Sequence, residues 1–169
     1  YVANMSTINQ LQVIDISVPD KPKIVGNYKS SGRGIVKGIH VVDKFAYLAN
    51  DRNGLEIIDI SDITKLKAIG TYKVTKGQAS NVYTIGSYAY LTIGNNGLEI
   101  IDVSDPANPK KIGIYNTTTK PSGVCVVAGV AYVSDESKGL QMISVPYNGV
   151  DMATAEAEIK EDIPSLAIT

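Results

Sequence analysis

The segment Leu11-Gln12-Val13-Ile14-Asp15-Ile16-Ser17 returns as Leu55-Glu56-Ile57-Ile58-Asp59-Ile60-Ser61 and again as Leu98-Glu99-Ile100-Ile101-Asp102-Val103-Ser104. A fourth, degraded copy reads Leu140-Gln141-Met142-Ile143-Ser144-Val145. Asp15, Asp59, Asp102 and Ser144 lie 44, 43 and 42 residues apart. Two further anchors keep the same register. Upstream stand Tyr1-Val2-Ala3, Ala46-Tyr47-Leu48-Ala49, Ala89-Tyr90-Leu91-Thr92 and Ala131-Tyr132-Val133-Ser134; downstream stand Gly26-Asn27-Tyr28, Gly70-Thr71-Tyr72 and Gly113-Ile114-Tyr115. A fixed period of this length means that the chain repeats one supersecondary unit, and that the unit buries its apolar surface against copies of itself.

Four short runs fit within each unit. In the best-formed copy they are Val82 to Ile85, Tyr88 to Ile93, Leu98 to Ser104 and Lys110 to Tyr115. Gly86-Ser87 and Asn95-Asn96-Gly97 supply residues for which a positive φ is cheap, as hairpin turns require. Asp105-Pro106-Ala107-Asn108-Pro109 ends the third run and starts the fourth. The third run carries Leu98, Ile100 and Asp102 on one face and Glu99, Ile101 and Val103 on the other, so both faces read as mainly apolar and both need a cover. Radial stacking of such sheets provides it. The expected fold is an all-β β-propeller of about four blades of four antiparallel strands, either a closed ring or a segment of a larger propeller.

Residues 1–146 hold the propeller repeats, about 3.5 blades. Residues 147–169 read as a degenerate last strand followed by a first strand, or as the start of another module. Ala153 to Lys160 alternate at period two, like a half-buried strand, although their composition also suits a helix. Pro164 to Ile168 fall in register with Pro121 to Cys125.

These repeats resemble the LVIVD-repeat family, with Pro19-Asp20-Lys21-Pro22-Lys23 and Pro106-Ala107-Asn108-Pro109-Lys110 as its turn after the third strand. The resemblance implies a β-propeller in a secreted or cell-surface bacterial or archaeal protein, and it brings no catalytic motif. Copy two departs from the pattern with Asp62-Ile63-Thr64-Lys65-Leu66, and copy four with Ser144 and Pro146.

Composition limits the function classes. Lys and Arg number 16 against 17 Asp and Glu, for a net charge of -1; no long-range field draws nucleic acid or an anionic membrane. No apolar run reaches the length that spans a bilayer, so membrane insertion is not expected, and the sequence shows no basic start followed by an apolar stretch of the kind a signal peptide has. The chain opens inside a repeat, and the expectation is that its N-terminus was removed by processing or by design, with any targeting signal.

Among candidate groups, His40 could serve as a general base. It stands seven residues before Tyr47, as Tyr83 stands before Tyr90 and Cys125 before Tyr132. The only His and the only Cys thus fill a blade position that tolerates Tyr, and a structural role is expected. Asp15, Asp59 and Asp102 recur once per blade; a cation ring is conceivable, but hydrogen bonds from Ser17, Ser61 and Ser104 are the expected role. Tyr47, Tyr90 and Tyr132 are structural repeat positions. Asn50-Asp51-Arg52-Asn53-Gly54 lacks the later acid of a calcium loop and reads as a hairpin turn. Lys29-Ser30-Ser31-Gly32-Arg33-Gly34 has neither the spacing nor the strand-to-helix setting of a phosphate loop, and reads as an exposed connection between blades. With Lys37, its Lys29 and Arg33 are the expected binding residues. Neither cofactor nor catalytic residue is expected. The chain reads as a non-enzymatic scaffold with a protein partner, or one that self-associates through blade faces; the alternative is a fragment of a propeller hydrolase or lyase using His40, Arg33 and Lys37.

Overall fold

The computed structural model describes residues 2–4, 10–30, 34–116 and 120–146, with residues 2–4 and 10 described as backbone alone. The extension 147–169, with the expected strands at 153–160 and 164–168, lies outside the described residues, as does Arg33.

The described residues form strands and no helix, in four antiparallel sheets. Blade I holds β1 (Val2–Asn4), β2 (Gln10–Asp15) and β3 (Lys23–Lys29). Blade II holds β4 (Val36–Val42), β5 (Phe45–Asn50), β6 (Gly54–Asp59) and β7 (Lys67–Tyr72). Blade III holds β8 (Ala79–Ile85), β9 (Tyr88–Ile93), β10 (Gly97–Asp102) and β11 (Lys110–Tyr115). Blade IV holds β12 (Pro121–Val127), β13 (Val130–Asp135) and β14 (Gly139–Ser144). Each sheet runs up and down in sequence order, and the first strands β4, β8 and β12 meet across blades. This is a β-propeller whose blades follow the sequence period.

Two boundaries differ from the expected ones. β8 starts at Ala79, three residues before Val82, because Ala79 pairs with Ile93 of β9 across a bulge and its amide donates to the Asp51 carbonyl of blade II at 2.8 Å. β10 ends at Asp102 and not at Ser104, because the Asp102 carboxylate accepts the Ser104 amide at 2.8 Å and turns the chain out of the ladder. The turn into β10 places Asn95 at φ 63° and Gly97 at φ 105°, conformations that Asn and Gly adopt at low cost.

The core lies between sheets, as the two-faced pattern of the third strands requires. Leu11 joins Ala46, Leu48, Ile58 and Ile60 of blade II. Leu55 and Ile57 join Leu91, Ile101 and Val103 of blade III, and Leu98 and Ile100 join Val133, Ile143 and Val145 of blade IV. Each blade thus sets its Leu-x-Ile/Val face forward and its Ile-x-Ile/Val face backward. Each fully covered aliphatic side chain contributes about 1.5–3 kcal/mol.

The backward face is less apolar than its alternation suggests. Glu56 and Glu99 lie on it and are almost fully buried.

Candidate functional site: a polar cleft at the head of the first strands

The repeated carboxylates are tied to their own turns. Asp15, Asp59 and Asp102 accept the amides of Ser17, Ser61 and Ser104 at 2.9, 2.9 and 2.8 Å. These serines hold all three acids below the usual carboxylate range: the amide bond is the larger cause at Asp15 and Asp102, and the side-chain bond is the larger at Asp59. They sit at separate strand ends, facing solvent. Among the described residues no group of three or more His, Cys, Asp and Glu is placed to hold a metal ion.

His40 faces forward from β4 onto blade III. Its Nδ1 accepts the Thr84 amide at 3.1 Å, and its ring lies 4.4 Å from that of Tyr83, the residue at the same position one blade on. Burial pushes its pKa down, which favours the neutral ring that this acceptor role demands. Cys125 occupies the equivalent place in blade IV and is exposed. Tyr47 and Tyr90 are buried in the blade interfaces, whereas Tyr132 is half-buried.

Two buried acids form links that the sequence reading missed. Tyr28 of blade I donates to Glu56 of blade II at 2.6 Å, and Tyr72 of blade II donates to Glu99 of blade III at 2.9 Å. Ser30 also donates to Glu56, and Asn50 Nδ2 reaches it at 3.0 Å. Lys111 Nζ lies 3.4 Å from Glu99. Burial first, then the carboxylate, pushes both phenols up. The signal was present in the repeat: the downstream-anchor Tyr precedes the next blade's acid by 28 and 27 residues.

The expected binding residues divide. Lys29 is exposed at the end of β3. The connection beyond it is not wholly exposed as expected, because Ser30 and Gly34 are buried; Gly34 sits so close to Asn50 and Asn53 that a Cβ would overlap both. Lys37 is on β4, its ammonium 2.7 Å from Asp51 and 3.4 Å from Gln78 of the next blade.

Lys37 also borders a polar cleft of about 290 Å³ where β8 and β12 begin. Gly77, Gln78 and Ser80 line it from the blade III side, and Lys120, Ser122 and Glu136 from the blade IV side. Its walls are cross-tied: Ser80 Oγ donates to the Pro121 carbonyl at 3.0 Å and meets Thr92 Oγ1 at 2.9 Å. Lys37 stands where blades III and IV carry Ser80 and Ser122, so one cation breaks the local symmetry at the cleft's edge. Two ammonium groups, hydroxyls and amides in one opening can take a carboxylate or another hydrogen-bond-accepting anion.

Comparison with known proteins agrees with this architecture. No curated protein matches the chain. Among solved structures, one titled "Crystal structure of the computationally designed Ika4 protein" superposes with a TM-score of 0.66 at 5% identity, covering 83% of this chain and 82% of that one. That likeness concerns the fold alone. The LVIVD repeat model matches residues 1–30, 33–74 and 76–117, which are blades I, II and III in their own register, and leaves out the degraded fourth copy. With more than half of its length matched in this way, the chain belongs to the LVIVD repeat family.

Proposed function

We propose that the chain is a non-enzymatic interaction scaffold of a secreted or cell-surface protein, presenting the loops around the polar cleft for adhesion or assembly. The observation that carries this reading is the employment of the titratable groups. His40 is committed to Thr84 and Tyr83, and the three repeat aspartates to their serines. What faces a partner is a cross-tied polar opening with Lys37 and Lys120 at its edges, which suits an acidic segment of a protein. The surface location rests on the family resemblance.

One observation favours a second reading, a fragment of a propeller hydrolase or lyase: Lys37, which departs from the repeat, and the carboxylate of Glu136 border the same cleft. Retention of the labelled chain on arrays of acidic, neutral and basic peptides separates the two. The scaffold reading expects retention on acidic peptides, and its loss in Lys37→Ala and Lys120→Ala. An array profile that neither substitution changes refutes it. Turnover of ester, glycoside or uronate substrates that disappears with the same substitutions establishes the second reading instead.

A further inference from the structure

In blades II, III and IV the pairing of the first strand with the second slips by one residue at the same place. Val36 stands opposite Asn50 and Gly38 opposite Ala49, which leaves Lys37 as the extra residue of a β-bulge; Ser80 and Ser122 are the extra residues in blades III and IV. A bulge bends its strand and re-aims one side chain. Val36, Ala79 and Pro121, one residue earlier, are buried, whereas Lys37 and Ser122 are exposed and Ser80 is half-buried. Packing between blades holds the bulge in place: a Cβ on Gly38 would stand 2.9 Å from Asn81 Cα and 3.1 Å from the Ser80 carbonyl oxygen, so the bulge of blade II is seated against that of blade III.

A second bulge shows what a purely structural one looks like. On the last strands β3, β7 and β11 the extra residues are Val25, Ile69 and Ile112, a β-branched aliphatic in every blade, and none of them borders the cleft. On the first strands the extra residue changes chemistry, from an ammonium in blade II to hydroxyls in blades III and IV, and all three border the cleft. We propose that the bulged residue of the first strand is the position at which each blade reads the partner: Lys37 takes a carboxylate of an acidic protein segment, and Ser80 and Ser122 take its uncharged polar groups. This rests on the scaffold reading of the cleft. An ammonium has three donors, and Asp51 and Gln78 use two of those on Lys37 among the described residues, which leaves one for the partner. The surroundings of the bulge repeat as well. Asp51 and Glu136 hold the same place in their hairpins, one residue past Asn50 and Asp135, so a cation at position 122 would have the counterpart of the acid that Lys37 has.

Fluorescence anisotropy at low salt with labelled hexaglutamate and hexaserine tests this. The wild type is expected to prefer hexaglutamate. Lys37→Ser, which gives blade II the residue that this bulge carries in two other blades, is expected to keep its strand content by circular dichroism and to bind hexaglutamate at least about tenfold more weakly, the loss of one charge-assisted hydrogen bond. Adding Ser122→Lys to it returns the cation to a bulge and is expected to regain most of the lost affinity. If that double variant loses strand content, Ser122→Arg takes the place of Ser122→Lys. Adding Asn95→Lys instead returns the same charge to the cleft from a hairpin turn outside any bulge, and is expected to regain little. Undiminished binding by Lys37→Ser, no regain with the cation at position 122, or equal regain with Asn95→Lys overturns the proposal. A wild type that binds both peptides alike overturns the acidic-segment reading and this proposal together, whereas a failed relocation alone leaves that reading standing.

Discussion

Gly70 on β7 and Gly113 on β11 occupy the same position of the repeat, yet substitution by alanine should move stability in opposite directions. A Cβ on Gly70 would overlap the Pro106 carbonyl oxygen and lie 3.0 Å from the carbonyl carbon, so the turn of blade III is seated directly on this glycine. Gly26 receives the Ile63 carbonyl of blade II in the same way. Among the described residues, a Cβ on Gly113 meets the Ile100 side chain, at 3.5 Å, an ordinary contact. Neither Gly70 nor Gly113 has a left-handed backbone, so both alanines gain about 0.4–1 kcal/mol from the lower entropy of the unfolded chain. For Gly70→Ala the turn must retreat. Its Asp105 carboxylate is bonded to the Ala107 amide at 3.1 Å and to Asn108 Nδ2 at 2.8 Å, so it resists, and overpacking of this kind costs about 1–3 kcal/mol. The expected outcome is a net loss of about 1–2 kcal/mol for Gly70→Ala and a gain of up to about 1 kcal/mol for Gly113→Ala. With a urea m-value of about 1–3 kcal/mol per molar, the two midpoints should separate by roughly 1 M. Urea unfolding followed by circular dichroism reads this. Equal shifts of the same sign would refute the claim that strand-four glycines are seats for the next blade's turn.

Tyr72→Phe should cost about 1.5–3 kcal/mol in the same assay, since the buried Glu99 keeps only long contacts to Asn96 and Lys111 at 3.5 and 3.4 Å. Tyr28→Phe should cost less, because Glu56 retains Ser30 and Asn50. His40 has a folded pKa below its ordinary 6.5, so between the two values the unfolded chain binds more protons. Its stabilising contribution is complete above pH 6.5 and is lost as pH falls toward the folded value; thermal melts from about pH 7.5 to about pH 5 should show this slope, weaker in His40→Tyr. Shifting melts of equal slope would refute the assignment.

The fold was legible because three anchors share one period, and a period fixes architecture before any single strand is assigned. The turn chemistry was legible too, since Asp102 and Ser104 are two residues apart and their bond is local. Harder to read was anything whose partner lies in another blade. Alternation placed Glu99 on the backward face but could not show the Tyr72 phenol arriving from the blade before. Gly70 was recognised as an anchor without a role, because its partner is a backbone carbonyl that leaves no mark in side-chain pattern. The cleft was half legible. Lys37 was singled out, but it lies on β4 in an ion pair with Asp51, and its place beside Lys120 depends on how β8 and β12 bring their first residues together.

The cross-blade bonds near the cleft explain how a repeat framework yields a defined site. Blade stacking by apolar faces alone fixes the order of sheets and tolerates small sliding, since dispersion contacts have no direction. The Ala79 amide on the Asp51 carbonyl, the Thr84 amide on His40 and the Ser80 hydroxyl on the Pro121 carbonyl are directional, and they join blade II to blade III and blade III to blade IV. One of the three, the Ser80 bond to Pro121, lies in the cleft wall itself. Holding the blades in register at this end fixes Lys37, Ser80 and Ser122 in place, and on the proposed scaffold reading that leaves little ordering entropy to oppose binding. Departure from the repeat is therefore informative in proportion to where it falls: at the strand heads it ties blades together and shapes an opening, whereas the substitution of Cys125 for Tyr83, on the open face of blade IV, ties nothing within the described chain.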